Sequence, residues 1–260
     1  MSEGLTRIAT IGDILLHADE VHVWQASLDA DPAAVDRFFG YLSPVEKERA
    51  ARFLSPRDGN RFAVCRGILR ELLGAYLRCP ASEVRLEGGP RGKPALHSDA
   101  GKPDLDLRFN VSNSQGVALY AFALGREIGI DIEKIRPEVA FEGIENRYFS
   151  PHEQEELRNL PEKLRPEGFF LCWTRKEAYI KARGDGLYLP LDSFDVSLTP
   201  GEPAVLNSQD RDRWSLYSLQ PRADFAGSLV VEGGEIPVKL WGVPGYAVET
   251  LTISDQRLPE

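Results

Sequence analysis

One order of residues occurs twice in this chain. Residues 41–53 read YLSPVEKERAARF and residues 148–160 read YFSPHEQEELRNL. Each carries a serine able to cap a helix, a proline suited to the first helical turn, and a glutamate three residues after the serine that completes a capping box. The spacing between copies is constant. Tyr41 and Tyr148, Phe62 and Phe169, Cys65 and Cys172, and Val23 and Ile130 all stand 107 residues apart. Capping boxes are common, but four matches in one register are not, and they imply two copies of a strand–helix–helix unit. The strands are Val21–Leu28 and Ile128–Ile132, and the long helices are expected over Arg61–Leu77 and Phe169–Leu187.

The copies differ in their charged residues. Opposite Asp131, Glu133, Glu177 and Lys181 of the second copy, the first has Trp24, Ala26, Arg70 and Gly74. On a strand Asp131 and Glu133 share one face, with Ile130 and Ile132 on the other. On a helix Trp173, Glu177 and Lys181, four residues apart, lie nearly above one another. If that strand faces that helix, three carboxylates and one ammonium converge. Like charges brought together out of water raise one another's pKa and are costly without a cation, so the cluster is a candidate for Mg²⁺, which prefers oxygen ligands. Taken singly, each part has a plainer reading: Asp131 and Glu133 as a solvated strand face, Glu177 and Lys181 as a helix-stabilising pair. Arg175 and Lys176 lie on other faces of the helix, so at most one of them is expected to join the cluster. The first copy carries Arg49, Arg52, Arg61, Arg66 and Arg70 in its helices. A site at the seam would draw cation ligands from one half and anion ligands from the other.

Composition narrows the partners. The net charge is −9 and the sequence pI about 5.1, which argues against nucleic-acid and anionic-membrane binding, and no apolar run is long enough to span a bilayer. A phosphate-bearing ligand therefore demands a local basic patch. The N-terminus lacks the features of a secretory signal, and the three cysteines, Cys65, Cys79 and Cys172, show no C-x-x-C spacing. A reducing, cytoplasmic setting is expected. The four histidines show no metal-ligand spacing, and G-x-S-x-G, P-loop and dinucleotide-binding motifs are missing from the sequence.

Between the copies, Val84–Leu96 suggests a strand and a Gly-rich turn containing Arg91, Gly92 and Lys93. Leu107–Leu124 reads as a hairpin turning near Asn113–Gly116, and the region after Lys181 alternates strand-like runs with Pro and Gly turns.

Two of these stretches carry a family resemblance. GIDIE at Gly129–Glu133, followed by WTRKEAYIK at Trp173–Lys181, resembles the Sfp-type 4′-phosphopantetheinyl transferases, in the subgroup with the W…KEA form. GKP at Gly92–Pro94 and FNVSNS at Phe109–Ser114 resemble two upstream motifs of that family, so the likeness runs from about Tyr41 to Leu191. It implies an α+β fold of two similar, pseudo-twofold-related halves, residues 1–125 and 126–260, with coenzyme A in the cleft between them. The implied reaction moves the 4′-phosphopantetheine arm to a serine of an apo acyl or peptidyl carrier protein, releases 3′,5′-ADP and needs Mg²⁺. By motif position Asp131, Glu133 and Glu177 would hold the metal, Glu177 would activate the serine and Lys181 would assist the leaving phosphate. Arg49, Arg91, Gly92, Lys93, Ser112 and Asn113, with Lys181, would contact coenzyme A. A monomer is expected. One position departs from the family, which usually has His where this chain has Asn113; asparagine can donate a hydrogen bond but cannot carry charge. A non-catalytic binding relative is the alternative, and the apo-carrier assay separates the two.

Overall fold

The 107-residue offset is carried by whole elements. The computed structural model describes residues 6–7, 14–88, 94–97, 105–138, 143–184, 189–246 and 251–253. In chain order the first half contains β1 (Thr6–Arg7), β2 (Val21–Ser27), α1 (Pro32–Tyr41), α2 (Pro44–Ala51), α3 (Pro56–Leu77), the short strands β3 (Leu86–Gly88) and β4 (Pro94–Leu96), and the hairpin β5 (Leu107–Ser114) and β6 (Val117–Leu124). The second half contains β7 (Ile128–Lys134), α4 (Ile144–Tyr148), α5 (Pro151–Asn159), α6 (Arg165–Arg183), β8 (Asp195–Val196), β9 (Leu206–Asn207), β10 (Trp214–Gln220), β11 (Phe225–Glu232), β12 (Val238–Gly242) and β13 (Thr252–Ile253).

β2 and β7 are the same length and stand at the expected offset, and each is followed by a capped short helix and a long one. Both capping boxes form: Glu46 and Glu153 accept from the backbone N–H of Ser43 and Ser150 at 2.9 and 2.8 Å, while the serine hydroxyls accept in return. The repeat also takes in the hairpins. β2 pairs with β6 and β6 with β5, while β7 pairs with β11 and β11 with β10, all antiparallel.

The layers follow from strand alternation. Val21 and Val23 of β2 and Ile128, Ile130 and Ile132 of β7 point into an apolar layer between the two sheets, with Leu119, Ala121, Leu229 and Val231. The opposite face of each sheet takes its long helix. In the first half Trp24, Tyr120 and Phe122 pack against Ile68 and Leu72 of α3; in the second, Ala226 and Val230 pack with Phe170, Ala178 and Ile180 of α6. The helix-facing position filled by Trp24 in the first half is filled by Asp131 in the second.

Three expectations are adjusted. The long helices start earlier, at Pro56 and Arg165, because the prolines suit a first turn, and the second ends at Arg183 with Gly184 in the left-handed region (φ 71°). α1 is an element the repeat did not announce; Asp31 caps it through Ala34 N–H at 2.9 Å. Strand β12 lies well past residue 125, yet it joins the first sheet by pairing in parallel with β2. Among the described residues, no helix is long and apolar enough to cross a membrane.

Candidate active site

Helix α6 settles on strand β7 at Gly129. A Cβ there would lie 2.4 Å from the backbone nitrogen of Ala182, so only glycine permits this approach. The close crossing carries Glu177 and Lys181 to the face of β7 that holds Asp131 and Glu133. Lys181 Nζ donates to Asp131 Oδ1 at 2.6 Å and lies 3.3 Å from Ser112 Oγ. Ser112 donates to the same Asp131 oxygen at 2.7 Å, and Ser114 donates to Glu133 Oε2 at 2.7 Å. Lys181 is thus tied directly to Asp131, and Glu177 feels the charges of Asp131, Glu133 and Lys181.

The local electrostatics are those of crowded carboxylates. Burial pushes Glu177 and Glu133 above the ordinary range, and the Asp131 charge pushes both further. Ser114 and Lys181 pull Glu133 back down, and Lys181 does the same for Glu177. Among the described residues, no three acidic, histidine or cysteine side chains close into a ready metal cage. For Mg²⁺ none is required, since that ion is commonly held by one or two carboxylates with water and substrate phosphate completing its shell. The donor set fits such an ion at one particular atom: Asp131 is only 4% exposed, and its Oδ2 is buried with no hydrogen-bond partner. An acceptor in that position is satisfied by a cation or by a donor brought with a ligand.

The basic patch demanded by the acidic composition lies on the far side of β5. A cleft of about 440 Å³ is lined by Arg49, Arg61, Phe62, Arg66, Asn113 and Gly116, among others. The guanidinium groups of Arg49 and Arg66 lie 5.2 and 5.7 Å from the Phe62 ring centre, so one aromatic ring carries two cations. Arg61 is fixed by paired 2.8 Å bonds to Asp29, and its guanidinium passes over the hairpin turn where Gly116 (φ 85°) leaves room. Asn113 Nδ2 lies 3.9 Å from Cys65 Sγ.

β5 divides the two environments by its alternation. Val111 and Asn113 line the cleft, while Ser112 and Ser114 turn to the acidic strand. The Ser112 side chain therefore meets Asp131, on the opposite side of the strand from the cleft. Arg49 and Asn113 do line the cleft; Arg91, Gly92 and Lys93 lie outside the described residues.

Neighbouring motif residues have structural work. Lys176 is buried, bonded to Glu153 at 2.8 Å and to the carbonyls of Leu191 and Phe194 at 2.6 Å. Arg175 donates to Ser197 and Ser218. Neither joins the cluster. Arg70 is likewise buried against Glu46 at 2.6 Å rather than in the cleft. The sequence reading took Asn110–Ser114 as a turn with donors suited to a phosphate, but the recurrence of polar residues at 108, 110, 112 and 114 was a signal that this face meets something polar.

Comparison with known proteins bears on the same regions. A family model described as the 4′-phosphopantetheinyl transferase superfamily matches residues 127–230, and one described as 4′-phosphopantetheinyl transferase, N-terminal, matches residues 24–123. The chain is 40% identical over 229 residues to the 4′-phosphopantetheinyl transferase HetI of Nostoc sp., spanning 88% of this chain and 94% of that protein. It is 35% identical over 164 residues to the 4′-phosphopantetheinyl transferase Sfp of Bacillus subtilis, spanning 63% of this chain and 69% of Sfp. Among solved structures, a holo-(acyl-carrier-protein) synthase from Bacillus anthracis in complex with CoA shares 25% identity at a TM-score of 0.36, covering 42% of this chain and 96% of that one.

Proposed function

This chain belongs to the 4′-phosphopantetheinyl transferase superfamily, and on that premise we propose how its residues divide the reaction. The protein transfers the 4′-phosphopantetheine arm of coenzyme A to a serine of an apo carrier protein and releases 3′,5′-ADP. In our reading the arginine cleft takes the nucleotide end, with Arg49, Arg61 and Arg66 meeting its phosphates and Asn113 donating a hydrogen bond. By motif position alone Arg91, Gly92 and Lys93 are assigned to the same subsite, and Ser112 serves through its contact with Asp131.

The observation that carries this division is the placement of β5 between a cleft of cations and a strand of carboxylates. A ligand with phosphates crossing that strand would bring its pyrophosphate from the arginines toward Asp131, Glu133 and Glu177. Asp131, Glu133 and Glu177 would share Mg²⁺, directly or through water, and the ion would supply charge neutralisation to the pyrophosphate. Glu177, kept basic by burial and by its acidic neighbours, takes the proton of the carrier serine. The serine oxygen forms a bond to the β-phosphorus, and the bond from that phosphorus to the bridging oxygen breaks. Lys181, which reaches Asp131 and Ser112, faces the charge that develops on the departing 3′,5′-ADP. Both walls of the site come from one chain, so a monomer suffices, and the three free cysteines fit a reducing cytoplasm.

The test is to incubate the protein with coenzyme A, Mg²⁺ and a purified apo carrier and to follow the carrier by mass spectrometry. The carrier should gain the phosphopantetheine mass, and Glu177→Gln should slow that gain by about 10²–10⁴. Tight coenzyme A binding with no mass gain across a panel of acyl and peptidyl carriers would instead establish a non-catalytic binding protein.

A further inference from the structure

Strand β5 ends in Asn110-Val111-Ser112-Asn113-Ser114, with Val111 and Asn113 turned to the cleft. Asn110, Ser112 and Ser114 share one face, and that face meets the open edge of β7. Residue numbers rise together along the two strands, so they run side by side in one direction. Side chains stand where a parallel ladder would place carbonyls: Asn110 Oδ1 accepts the Ile130 N–H at 2.8 Å, and Ser114 Oγ accepts the Lys134 N–H at 3.2 Å. Ser112 and Ser114 then use their own protons on Asp131 and Glu133.

Ser114 is the most constrained of the three. Its hydroxyl accepts from the backbone of residue 134 and donates to the side chain of residue 133, so it fixes the Glu133 carboxylate relative to Glu133's own strand. A hydroxyl has a single donor, and here that donor is committed to Oε2 of Glu133, leaving Oε1 for a ligand. We infer that Ser114, supplied by the other half of the molecule, is a positioning residue that orients Glu133 for cation binding. The inference rests on the reading of Glu133 as a metal ligand. Ser114 follows Asn113 of the cleft, so one short segment aims the carboxylate and lines the anion subsite.

Metal affinity should depend on the hydroxyl, since outer partners of ligating carboxylates set ligand orientation. The full chain is titrated with Mn²⁺ in the presence of 3′,5′-ADP, and free Mn²⁺ is read by electron paramagnetic resonance. Ser114→Ala should weaken Mn²⁺ binding about tenfold, with only the small fall in melting temperature expected from losing the Lys134 hydrogen bond. Ser114→Thr, which keeps an Oγ, should restore the affinity. The control is Glu133→Gln. If that variant loses Mn²⁺ while Ser114→Ala binds as the wild type does, positioning by Ser114 is refuted and the metal reading stands. If Glu133→Gln also binds as wild type, the metal reading fails and takes the inference with it. Equal losses in the alanine and threonine variants would also overturn the role assigned to the hydroxyl.

Discussion

The Cβ that Gly129 lacks would lie 2.1 Å from the carbonyl oxygen of Ala178. The atoms it would meet belong to the helix backbone, which cannot swing aside as a flexible side chain can. Gly129→Ala should therefore lift α6 from β7 and lower stability by about 3 kcal/mol, the upper end for overpacking. Glu177 and Lys181 would move with the helix. Urea denaturation should show the destabilisation, and transfer activity should fall while the arginine cleft keeps its affinity for 3′,5′-ADP.

That glycine was visible in the sequence only as a companion of Asp131; its reason is tertiary. Signals confined to one element were legible: capping boxes at Ser43 and Ser150, alternation along β7, and the four-residue spacing of Glu177 and Lys181. The shared offset even announced that Trp24 and Asp131 occupy matching places. Apart from the meeting of Lys181 with Asp131, contacts made across long separations were not legible. Helix arithmetic sets Lys176 on a different face from Glu177, but it says nothing of the Leu191 and Phe194 carbonyls that wait there. β12 reads locally as one more C-terminal strand, and only its pairing with β2 places it in the first sheet. Ser114 reads as part of a turn until the edge of β7 is beside it. The Asp31–Pro32 start of α1 was a usable local signal, overlooked because the repeat has no matching pair in the second copy.

Lys176 and Glu153 make a buried pair whose remaining valences are met by backbone. Glu153 accepts the N–H groups of Ser150 and Val196 at 2.8 Å, and Lys176 donates to two carbonyls. Lys176→Met removes the cation and leaves a buried carboxylate, so it should cost about 3–5 kcal/mol. Adding Glu153→Gln to that variant removes the stranded charge while keeping an acceptor, and should recover part of the loss. The measurement is a double-mutant cycle by denaturant unfolding. Additive losses would show that the two side chains are not coupled.

Acid should destabilise the fold through His22. Trp24 Nε1 donates to the Tyr76 hydroxyl at 2.9 Å, Tyr76 donates to His22 Nδ1 at 2.8 Å, and His22 Nε2 donates to Glu20 at 3.0 Å, which assigns a neutral imidazole. Burial lowers the His22 pKa to about 4 from 6.5, against the pull of Glu20. Between those values the unfolded chain binds a proton that the folded chain does not. Stability from this group is thus full above pH 6.5 and is lost as pH falls toward 4, by roughly 3 kcal/mol. His22→Gln should be less stable at neutral pH and should show a shallower decline across that window.

The two faces of β5 predict separable kinetic defects. Arg49 lines the cleft that we propose holds the nucleotide end, in the substrate and in the transition state alike. Arg49→Ala should therefore raise the KM for coenzyme A about tenfold, the loss expected for a charged hydrogen bond, with kcat little changed. That increase should shrink at high salt, because the attraction removed is electrostatic. Glu177 feels the charges of Asp131 and Glu133 on the other side, and its proposed part is to take the proton of the attacking serine. Glu177→Gln should lower kcat by about 10²–10⁴ and leave 3′,5′-ADP binding intact. Steady-state kinetics on one carrier, paired with calorimetric titration of 3′,5′-ADP, reads both variants. If Glu177→Gln lost nucleotide affinity as Arg49→Ala does, the strand would not be a divider, and the cleft and the acidic cluster would have to be treated as one binding site.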